Sequence, residues 1–458
     1  MEMYSGYITV DETNQRALFY WLIKAEQDPD TKPLLVWFQG GPGCSGLVGL
    51  FMEGGPLRLF PNHKIGTEVR YNDLGWTRFA NVLFIEQPAF VGFSYSNTSS
   101  DVNTDDAKAA RDNKKFLEAF VSLEFKEFYG RDLWLTGESY GGVYVPSVSD
   151  LILKEKTGIL YPQFKGFMIG NPVFSCQDGF IGSNGHYYIE QVNLLYWHGL
   201  ASYRNYYNWT SQGCNDPKTA QLPNCQWILQ NVLAQVGVQV QQKKRSNQAP
   251  PPLPPPHSWP SLDPDAIFQN FCTGNASLAF AESPNSSGHC PSLESLIVRY
   301  LNRADVQRAL NVRSVAWSEC SSMLNYTIAG NSMVPLYEGF FTNKPSFQIL
   351  VYSGDQDILT VPFAFTQPCI AQLSGKLVSD WQPWFVHGAT AGYVEVYDKY
   401  TYATVKGAGH EAPLYQPLLS FQLIYRFLTT GRLTGHPPGS SARPLRQSDF
   451  LRHHQVNP

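Results

Sequence analysis

The 458-residue sequence has no apolar run long enough to span a bilayer, so no transmembrane helix and no membrane partner are expected. It also lacks a long basic run, and its formal net charge is -4 at pH 7, which argues against a nucleic-acid partner. Charged residues make up only 16%, whereas hydrophobic residues make up 43%, a balance typical of a well-filled interior. We expect one large core with one inserted domain.

The cysteines form no Cys-x-x-Cys pair and no histidine-paired spacing, so no metal site, redox motif or other cofactor is predicted. The chain opens without a charged and then apolar leader, which fits either a cytosolic start or a missing signal peptide. Eight cysteines favour the second reading, a secreted or vacuolar/lysosomal protein of the secretory pathway. Asn-x-Ser/Thr sequons support it and predict glycosylation at Asn97, Asn208, Asn275, Asn285 and Asn325.

The pattern Gly-Glu-Ser-Tyr-Gly at residues 137–141 is the main candidate functional motif of the sequence. An apolar run, residues 133–136, precedes it, and a helical pattern over 144–154 follows it. A serine on such a strand-to-helix turn has the context of a nucleophile elbow, in which a strained backbone exposes the hydroxyl. Ser139 is therefore the candidate nucleophile, although similar patterns also occur in ordinary loops.

Short apolar runs alternate with helical patterns over residues 1–173 and again over 331–433. Thr104 is predicted to cap one helix, and another is predicted over 418–429. Strands are predicted at 4–10, 17–23, 34–38, 81–85, 133–136, 164–169, 347–352 and 401–405. This order predicts an α/β fold with a central, mostly parallel, twisted sheet.

Residues 174–330 differ from the rest of the sequence in composition, since they hold six of the eight cysteines and few strand-like runs. This difference predicts an inserted, partly helical cap domain. A proline-rich stretch at 246–260 predicts an exposed, extended loop, and a site for a proline-reading domain is the weaker alternative. We expect proteases to cut at the basic triplet 243–245 without unfolding the protein. Residues 434–458 are predicted to be a disordered tail.

An elbow serine needs an imidazole to take its proton and a carboxylate to orient that imidazole. His410 lies in a glycine-flanked turn between the last strand and a helix, and Asp357 follows an earlier strand. Asp355 competes with Asp357 for the acid. The order serine, acid, histidine, each after a strand, predicts a Ser139, Asp357 and His410 triad.

Four segments carry a family resemblance: residues 40–45 (GGPGCS), 137–142 (GESYGG), 353–357 (SGDQD) and 407–410 (GAGH). Together they resemble the serine carboxypeptidases, the α/β-hydrolase family that acts on peptide C-termini. Residues 88–95 and 170–172 resemble further family segments. The resemblance runs from residue 4 to about 431 and implies an α/β-hydrolase that removes C-terminal amino acids from peptides or proteins at acidic pH.

The resemblance also implies roles for residues around the serine. Ser139 matches the nucleophile, His410 the base and Asp357 the orienting acid. The backbone N–H groups of Gly41 and Tyr140 match an oxyanion hole. A set of residues that grips the substrate's terminal carboxylate corresponds to Gln39, Glu53 and Glu138. Two close carboxyls share a proton, and the protonated one can donate to an anion.

Gln39 departs from the pattern, because much of the family has asparagine there. Plant acyltransferases that resemble carboxypeptidases use the same triad to move acyl groups from glucose esters to an alcohol. They tend to alter this asparagine and to replace the glutamate before the serine with aspartate. Glu138 is intact, which favours the peptidase and leaves the acyltransferase as the alternative.

The resemblance further implies the disulfides Cys44–Cys320, Cys214–Cys225 and Cys272–Cys290. Cys176 and Cys369 have no clear counterparts, so pairing with each other and remaining free both stay open. The sequence also leaves open whether the protein forms a homodimer. Aromatic residues of the insertion either line a substrate pocket or belong to the core: Tyr187, Tyr188, Trp197 and Tyr206.

Overall fold

The structure is a computed structural model that describes residues 1–60, 68–176, 185–235, 262–263, 266–270, 293–431 and 433. Several predictions lie outside the described residues: the proline-rich loop 246–260, the basic triplet 243–245, the tail 434–458, the pair Cys272–Cys290, and the sequons at Asn275 and Asn285.

Strands and helices alternate along the chain as the apolar periodicity predicts. The strands are β1 Met3–Asp11, β2 Arg16–Ile23, β3 Leu34–Phe38, β4 Leu57–Leu59, β5 Val69–Tyr71, β6 Asn81–Ile85, β7 Asn103–Asp105, β8 Leu133–Glu138, β9 Phe164–Gly170, β10 Leu262–Asp263, β11 Ala266–Asn270, β12 Asn325–Thr327, β13 Gln348–Gly354, β14 Leu377–Val386, β15 Ala389–Tyr397 and β16 Thr401–Val405. The α-helices are α1 Gly46–Met52, α2 Asp106–Ala119, α3 Gly141–Lys154, α4 Gly185–Trp197, α5 Tyr203–Ser211, α6 Pro223–Gln235, α7 Leu293–Leu301, α8 Ala304–Ala309, α9 Val334–Asn343, α10 Phe363–Ile370, α11 Ala412–Tyr415 and α12 Pro417–Thr430.

Ten strands form one sheet in the order β1-β2-β6-β3-β8-β9-β13-β16-β15-β14. The six strands from β6 to β16 pair in parallel, and antiparallel strands flank them on both sides. Because parallel strands point the same way, the carboxyl ends of β3, β8, β9, β13 and β16 meet at one edge. Loops that follow these strands therefore converge there.

The central strands are buried on both faces, as their continuous apolar runs indicate. Side chains alternate across β3: Val36 and Phe38 belong to one core cluster, whereas Leu35 and Trp37 belong to the other. Helices α2, α3 and α9 contribute to the first cluster and helices α1, α7 and α12 to the second. Two hydrophobic layers thus hold the sheet, and the edge loops are fixed from both sides.

Two local predictions need correction. Thr104 does not cap α2: it lies in the short strand β7, and the cap is Asp105, whose carboxylate accepts from Lys108 N at 2.7 Å. The sequence interpretation also missed the hairpin β14–β15, which extends the sheet beyond β16. Polar and exposed residues interrupt its alternation, and its turn is formed by His387 and Gly388, both with positive φ.

The predicted cap, residues 174–330, contains two kinds of packing, and its boundaries remain a prediction. Helices α4, α5 and α6 share a hydrophobic cluster of their own, which Ile358 joins. Helices α7 and α8 instead belong to the core layer that contains Trp37. Strand β12 pairs in parallel with β7. The later part of this region therefore packs on the sheet.

Three disulfides occur among the described residues, and no described cysteine is free. Cys44–Cys320 and Cys214–Cys225 pair as the family resemblance implies. Cys176–Cys369, which the sequence left open, is also a disulfide and joins the segment after β9 to α10.

The three described sequon asparagines, Asn97, Asn208 and Asn325, are exposed. Tyr187 packs in the core, whereas Trp197 is 74% exposed. Within the described ranges, no helix combines the length and apolar character that crossing a membrane requires.

Candidate active site

Ser139 lies on the turn between β8 and α3 with φ 57°, the strained left-handed conformation expected of a nucleophile elbow. Its N–H donates to Gly170 O at 3.1 Å, and its carbonyl accepts from Gly142 N at 2.9 Å and Val173 N at 2.8 Å. These bonds tie the elbow to the neighbouring strand end, so the turn is fixed although its backbone is strained.

Asp357 follows β13 and is fully buried. Its carboxylate accepts from Thr360 N at 2.9 Å and Val361 N at 3.0 Å, and from Asn171 Nδ2 at 3.1 Å. Asp355, the competing acid, accepts instead from Gly407 N at 2.7 Å. The structure thus brings Asp357 to the edge of the sheet where Ser139 lies.

His410 follows β16 and is 4% exposed. Its Nδ1 lies 2.6 Å from Asp357 Oδ2, and its Nε2 lies 2.5 Å from Glu138 Oε1. Burial opposes a charge on the ring, but the two carboxylates outweigh burial and hold the pKa of His410 well above its usual range. The ring therefore favours the protonated form.

The structure joins two residues of the predicted triad directly, Asp357 and His410, and places Glu138, the residue before Ser139, against the other ring nitrogen. In the part of the chain that the structure describes, no hydrogen bond joins the Ser139 hydroxyl to His410. Because Nε2 contacts Glu138, this nitrogen has to lose its proton and turn to the Ser139 hydroxyl before the serine can use the ring as a base. The catalytic roles of the three residues stay a prediction.

The carboxylate-binding residues predicted from the resemblance also meet. Gln39 Nε2 donates to Glu138 Oε2 at 2.8 Å and to Glu53 Oε1 at 3.4 Å. Gln39 Oε1 accepts from Trp37 Nε1 at 2.8 Å, which fixes the orientation of the amide. All three polar residues are 6% exposed or less. The Gln39 side chain, one carbon longer than asparagine, thus donates hydrogen bonds to both carboxyl groups.

Glu53 is almost fully buried and lies within reach of the Gln39 amide. Burial, and then the charge of Glu138, hold the pKa of Glu53 well above its usual range, although the hydrogen bond from Gln39 opposes the shift. Among the described residues, Glu53 Oε2 has no hydrogen-bond partner. A protonated Glu53 has a donor available for an anion at this position.

The glycine-rich loop after β3 packs against the elbow. A Cβ at Gly40 would lie 2.6 Å from both Ser139 Cβ and Tyr140 N, so only glycine allows this approach. Gly41 has φ 113°, and its N–H has no hydrogen-bond partner among the described residues. The loop and the start of α3 thus place the two predicted oxyanion donors, Gly41 and Tyr140, close to the serine.

A cavity of about 500 Å³ lies beside Tyr140 and the following turns of α3. Its walls include Tyr140, the residue next to Ser139, and Val173, whose N–H donates to Ser139 O. Asp106, in the first turn of α2, also lines it. Asp106 Oδ1 accepts from the hydroxyls of Tyr140 and Tyr326, both at 2.8 Å. Ser139 and His410 are not among the residues that line this cavity.

Sequence reasoning assigned no role to Trp37, Asp106 or Asn171. Asn171 donates to Asp357 and accepts from Gly354 N at 3.0 Å, which links the ends of β9 and β13. Its position directly after a buried strand was the available signal. Trp37 and Asp106 carried none, because a strand tryptophan and an acid at a helix start are common structural residues.

Within the described ranges, no group of three or more His, Cys, Asp or Glu residues could hold a metal ion.

The whole-chain fold resembles that of Kex1(delta)p, a prohormone-processing carboxypeptidase from Saccharomyces cerevisiae. The TM-score is 0.69 at 20% identity, with 93% of this chain and 91% of the other covered. Together with the parallel sheet and the serine elbow, this likeness defines an α/β-hydrolase fold.

The family follows from sequence similarity. The serine carboxypeptidase family model matches residues 1–430. Serine carboxypeptidase-like 25 from Arabidopsis thaliana is 34% identical over 443 residues, covering 93% of this chain and 88% of the relative. Serine carboxypeptidase 24 from the same plant is 33% identical over 450 residues, with the same coverage. The chain belongs to the serine carboxypeptidase family.

Proposed function

We propose that this protein is a serine-type carboxypeptidase that releases the C-terminal amino acid of a peptide or protein at acidic pH. The observation that carries the proposal is the buried cluster of Gln39, Glu53 and Glu138 directly beside Ser139. A pair of buried carboxyls bridged by an amide suits a ligand that is itself a carboxylate, provided that the pair carries a proton.

Recognition of the terminal carboxylate depends on that proton. Two ionised carboxyls at this burial would repel each other and the substrate, whereas a protonated Glu53 or Glu138 donates a hydrogen bond to it. The raised pKa of Glu53 supports the protonated form at acidic pH. An amide at the peptide C-terminus lacks the negative charge and binds less well.

Substrate binding also prepares the base. When the terminal carboxylate reaches Glu138, the proton on His410 Nε2 moves to Glu138 Oε1 across the 2.5 Å contact. Glu138 then donates to the substrate, and His410 is left neutral. A neutral Nε2 can accept the proton of the Ser139 hydroxyl, so the same event binds the substrate and frees the base.

Chemistry then follows the Ser-His-Asp scheme. Ser139 Oγ attacks the carbonyl carbon of the last peptide bond while His410 takes its proton, and Asp357 stabilises the imidazolium through Nδ1. The N–H groups of Gly41 and Tyr140 stabilise the oxyanion. His410 gives its proton to the leaving nitrogen as the C–N bond breaks, and the free amino acid leaves. Water then hydrolyses the acyl-enzyme by the reverse sequence.

The compartment and partners belong to the same proposal. Acidic working conditions, disulfides and exposed sequons suit the secretory pathway, with a secreted or vacuolar/lysosomal destination. The partners are peptide or protein C-termini, and the reaction needs no cofactor, nucleic acid or membrane. Self-association into a homodimer remains an open alternative.

The test compares three substrates with one acyl part: a blocked dipeptide with a free C-terminus, its amide and its ester. The Glu138→Gln variant should lose activity at acidic pH on the free acid far more than on the ester. Equal losses on both would remove the proposed role of Glu138. Transfer from a glucose ester to an alcohol, with no peptide cleavage, would establish the acyltransferase alternative.

A further inference from the structure

Arg58, in β4, caps the end of helix α1. Its hydrogen bonds within the described residues go to backbone carbonyls around that end: Phe51, Glu53, Gly55 and Leu57. The last carbonyls of a helix have no partner inside it and carry partial negative charge, so a cation is stabilising there. The guanidinium therefore ties the end of α1 to the turn that follows it.

Glu53 lies at the start of this turn. It is the C-cap residue of α1, and its N–H donates to Gly49 O at 3.0 Å. Its carboxyl is 1% exposed and accepts from the Gln39 amide, whereas its backbone carbonyl accepts from Arg58 Nη2. Arg58 thus holds the backbone of a residue whose side chain belongs to the carboxyl cluster beside Ser139.

The turn after Glu53 contains glycine at positions 54 and 55. A Cβ at Gly55 would collide with Leu50 O, so no side chain can fill the turn there. Its order depends on hydrogen bonds to its carbonyls, among them one from Arg58 Nη1 and one from Asn72 Nδ2, which lies 2.8 Å from Gly55 O. Removal of the Arg58 side chain would therefore loosen the end of α1 that carries Glu53.

The charge of Arg58 has a smaller effect on the cluster. Burial lowers the pKa of Arg58 to about 10, against the charge of Glu53, so the guanidinium stays charged at acidic pH. Burial is the main cause of the raised pKa of Glu53, and the charge of Arg58 is a minor opposing one. In the proposed function Glu53 already holds its proton at acidic pH. Loss of Arg58 should therefore change the position of this carboxyl more than its protonation.

We propose that Arg58 is a positioning residue for substrate recognition, which holds the Glu53 carboxyl where it meets the terminal carboxylate of the peptide. This inference rests on the proposed function. A fixed donor binds an anion more tightly than a mobile one, because less freedom is lost on binding. The terminal carboxylate is bound alike before and during the reaction, so loss of Arg58 should raise KM and leave kcat nearly unchanged.

The experiment measures kcat and KM at about pH 5 for a blocked dipeptide and for its C-terminal ester. Arg58→Met should raise KM for the free acid about tenfold, with little change in its kcat or in either constant for the ester. Arg58→Lys keeps the charge without the planar fork and should recover part of the affinity. Arg70→Met is the matched control: Arg70 pairs with Arg58 across β4 and β5 but is exposed, and its loss should change neither constant.

A second comparison separates positioning from a general structural role. In the Glu53→Ala background, Arg58→Met should add little to KM, because its effect passes through the Glu53 carboxyl. A merely structural role would lower kcat/KM for acid and ester alike, and its effect would persist in that background.

An unchanged ratio of acid to ester kcat/KM in Arg58→Met, or the full rise in KM in the Glu53→Ala background, would overturn the inference. If Arg58→Met does not fold, Arg58→Lys decides by the same ratio. Failure of the proposed function looks different: the wild-type enzyme would then release no amino acid from the peptide, and the inference would fall with it.

Discussion

Glu138 Oε1 lies 2.5 Å from His410 Nε2, on the ring nitrogen that faces away from Asp357. The imidazole is therefore held between two carboxylates, which explains its raised pKa. A protonated His410 cannot accept the proton of the Ser139 hydroxyl at acidic pH unless substrate binding first removes the proton from Nε2. In the proposed function, binding of the terminal carboxylate moves this proton to Glu138 and so couples recognition to activation.

The Glu138→Gln variant tests this coupling directly. Loss of the carboxylate should lower the pKa of His410, so the neutral ring persists to lower pH. The acidic limb of kcat/KM for an ester that lacks a free carboxylate should shift to lower pH, as measured by a pH–rate profile. Glu53→Gln, which leaves the Nε2 contact intact, should shift it less. An unmoved limb in Glu138→Gln would contradict the account.

Gln39 should act in binding rather than in chemistry. Gln39→Leu removes the donor to Glu53 and Glu138, so kcat/KM for a free-acid peptide should fall about tenfold or more, with a much smaller loss for the ester. Gln39→Asn restores an amide on a shorter stem and should recover part of the activity. Equal losses on acid and ester would show that Gln39 has no special role in carboxylate binding.

Asn171 should act through Asp357. Glycine is the suitable replacement, because Asn171 has φ 37° and glycine adopts it without strain. Removal of a hydrogen bond to a buried carboxylate should lower kcat by about 10- to 100-fold with little change in KM. Steady-state kinetics measures the two constants, and thermal unfolding verifies that the variant folds. An unchanged kcat would exclude the positioning role.

Glu86 lies outside the proposed catalytic residues and should make the free energy of unfolding depend on pH. It is fully buried, and burial raises its pKa from 4.5 to about 7, against hydrogen bonds from Ser45 Oγ at 2.5 Å and Trp317 Nε1 at 2.7 Å. The folded protein thus holds this proton more tightly than the unfolded chain. The free energy of unfolding should fall as pH rises from 4.5 through 7. At roughly 1.4 kcal/mol per pH unit, the share of Glu86 is about 3 kcal/mol.

Urea unfolding of wild type and Glu86→Gln at pH 5 and pH 7.5 measures that share. The glutamine variant cannot ionise, so its unfolding free energy should depend less on pH than that of the wild type. The same dependence in both proteins would mean that Glu86 does not titrate in this range.

Much of the fold could be predicted from the sequence, because the central strands are buried on both faces and therefore appear as continuous apolar runs. Strands at the edge of the sheet were harder to predict. β14 and β15 are partly exposed, and the alternation of buried and exposed residues along them is interrupted. Ser139, Asp357 and His410 could be predicted as a candidate triad because each follows a strand. The contact between Glu138 and His410 could not, since it depends on how the elbow and the loop after β16 meet.

The most direct measurement is release of the last amino acid from a blocked dipeptide at about pH 5. The Ser139→Ala variant and the matching C-terminal amide serve as controls. The account predicts turnover of the free acid, loss of turnover in Ser139→Ala and much weaker turnover of the amide. A folded protein that reacts with a serine-directed fluorophosphonate but releases no amino acid would contradict it.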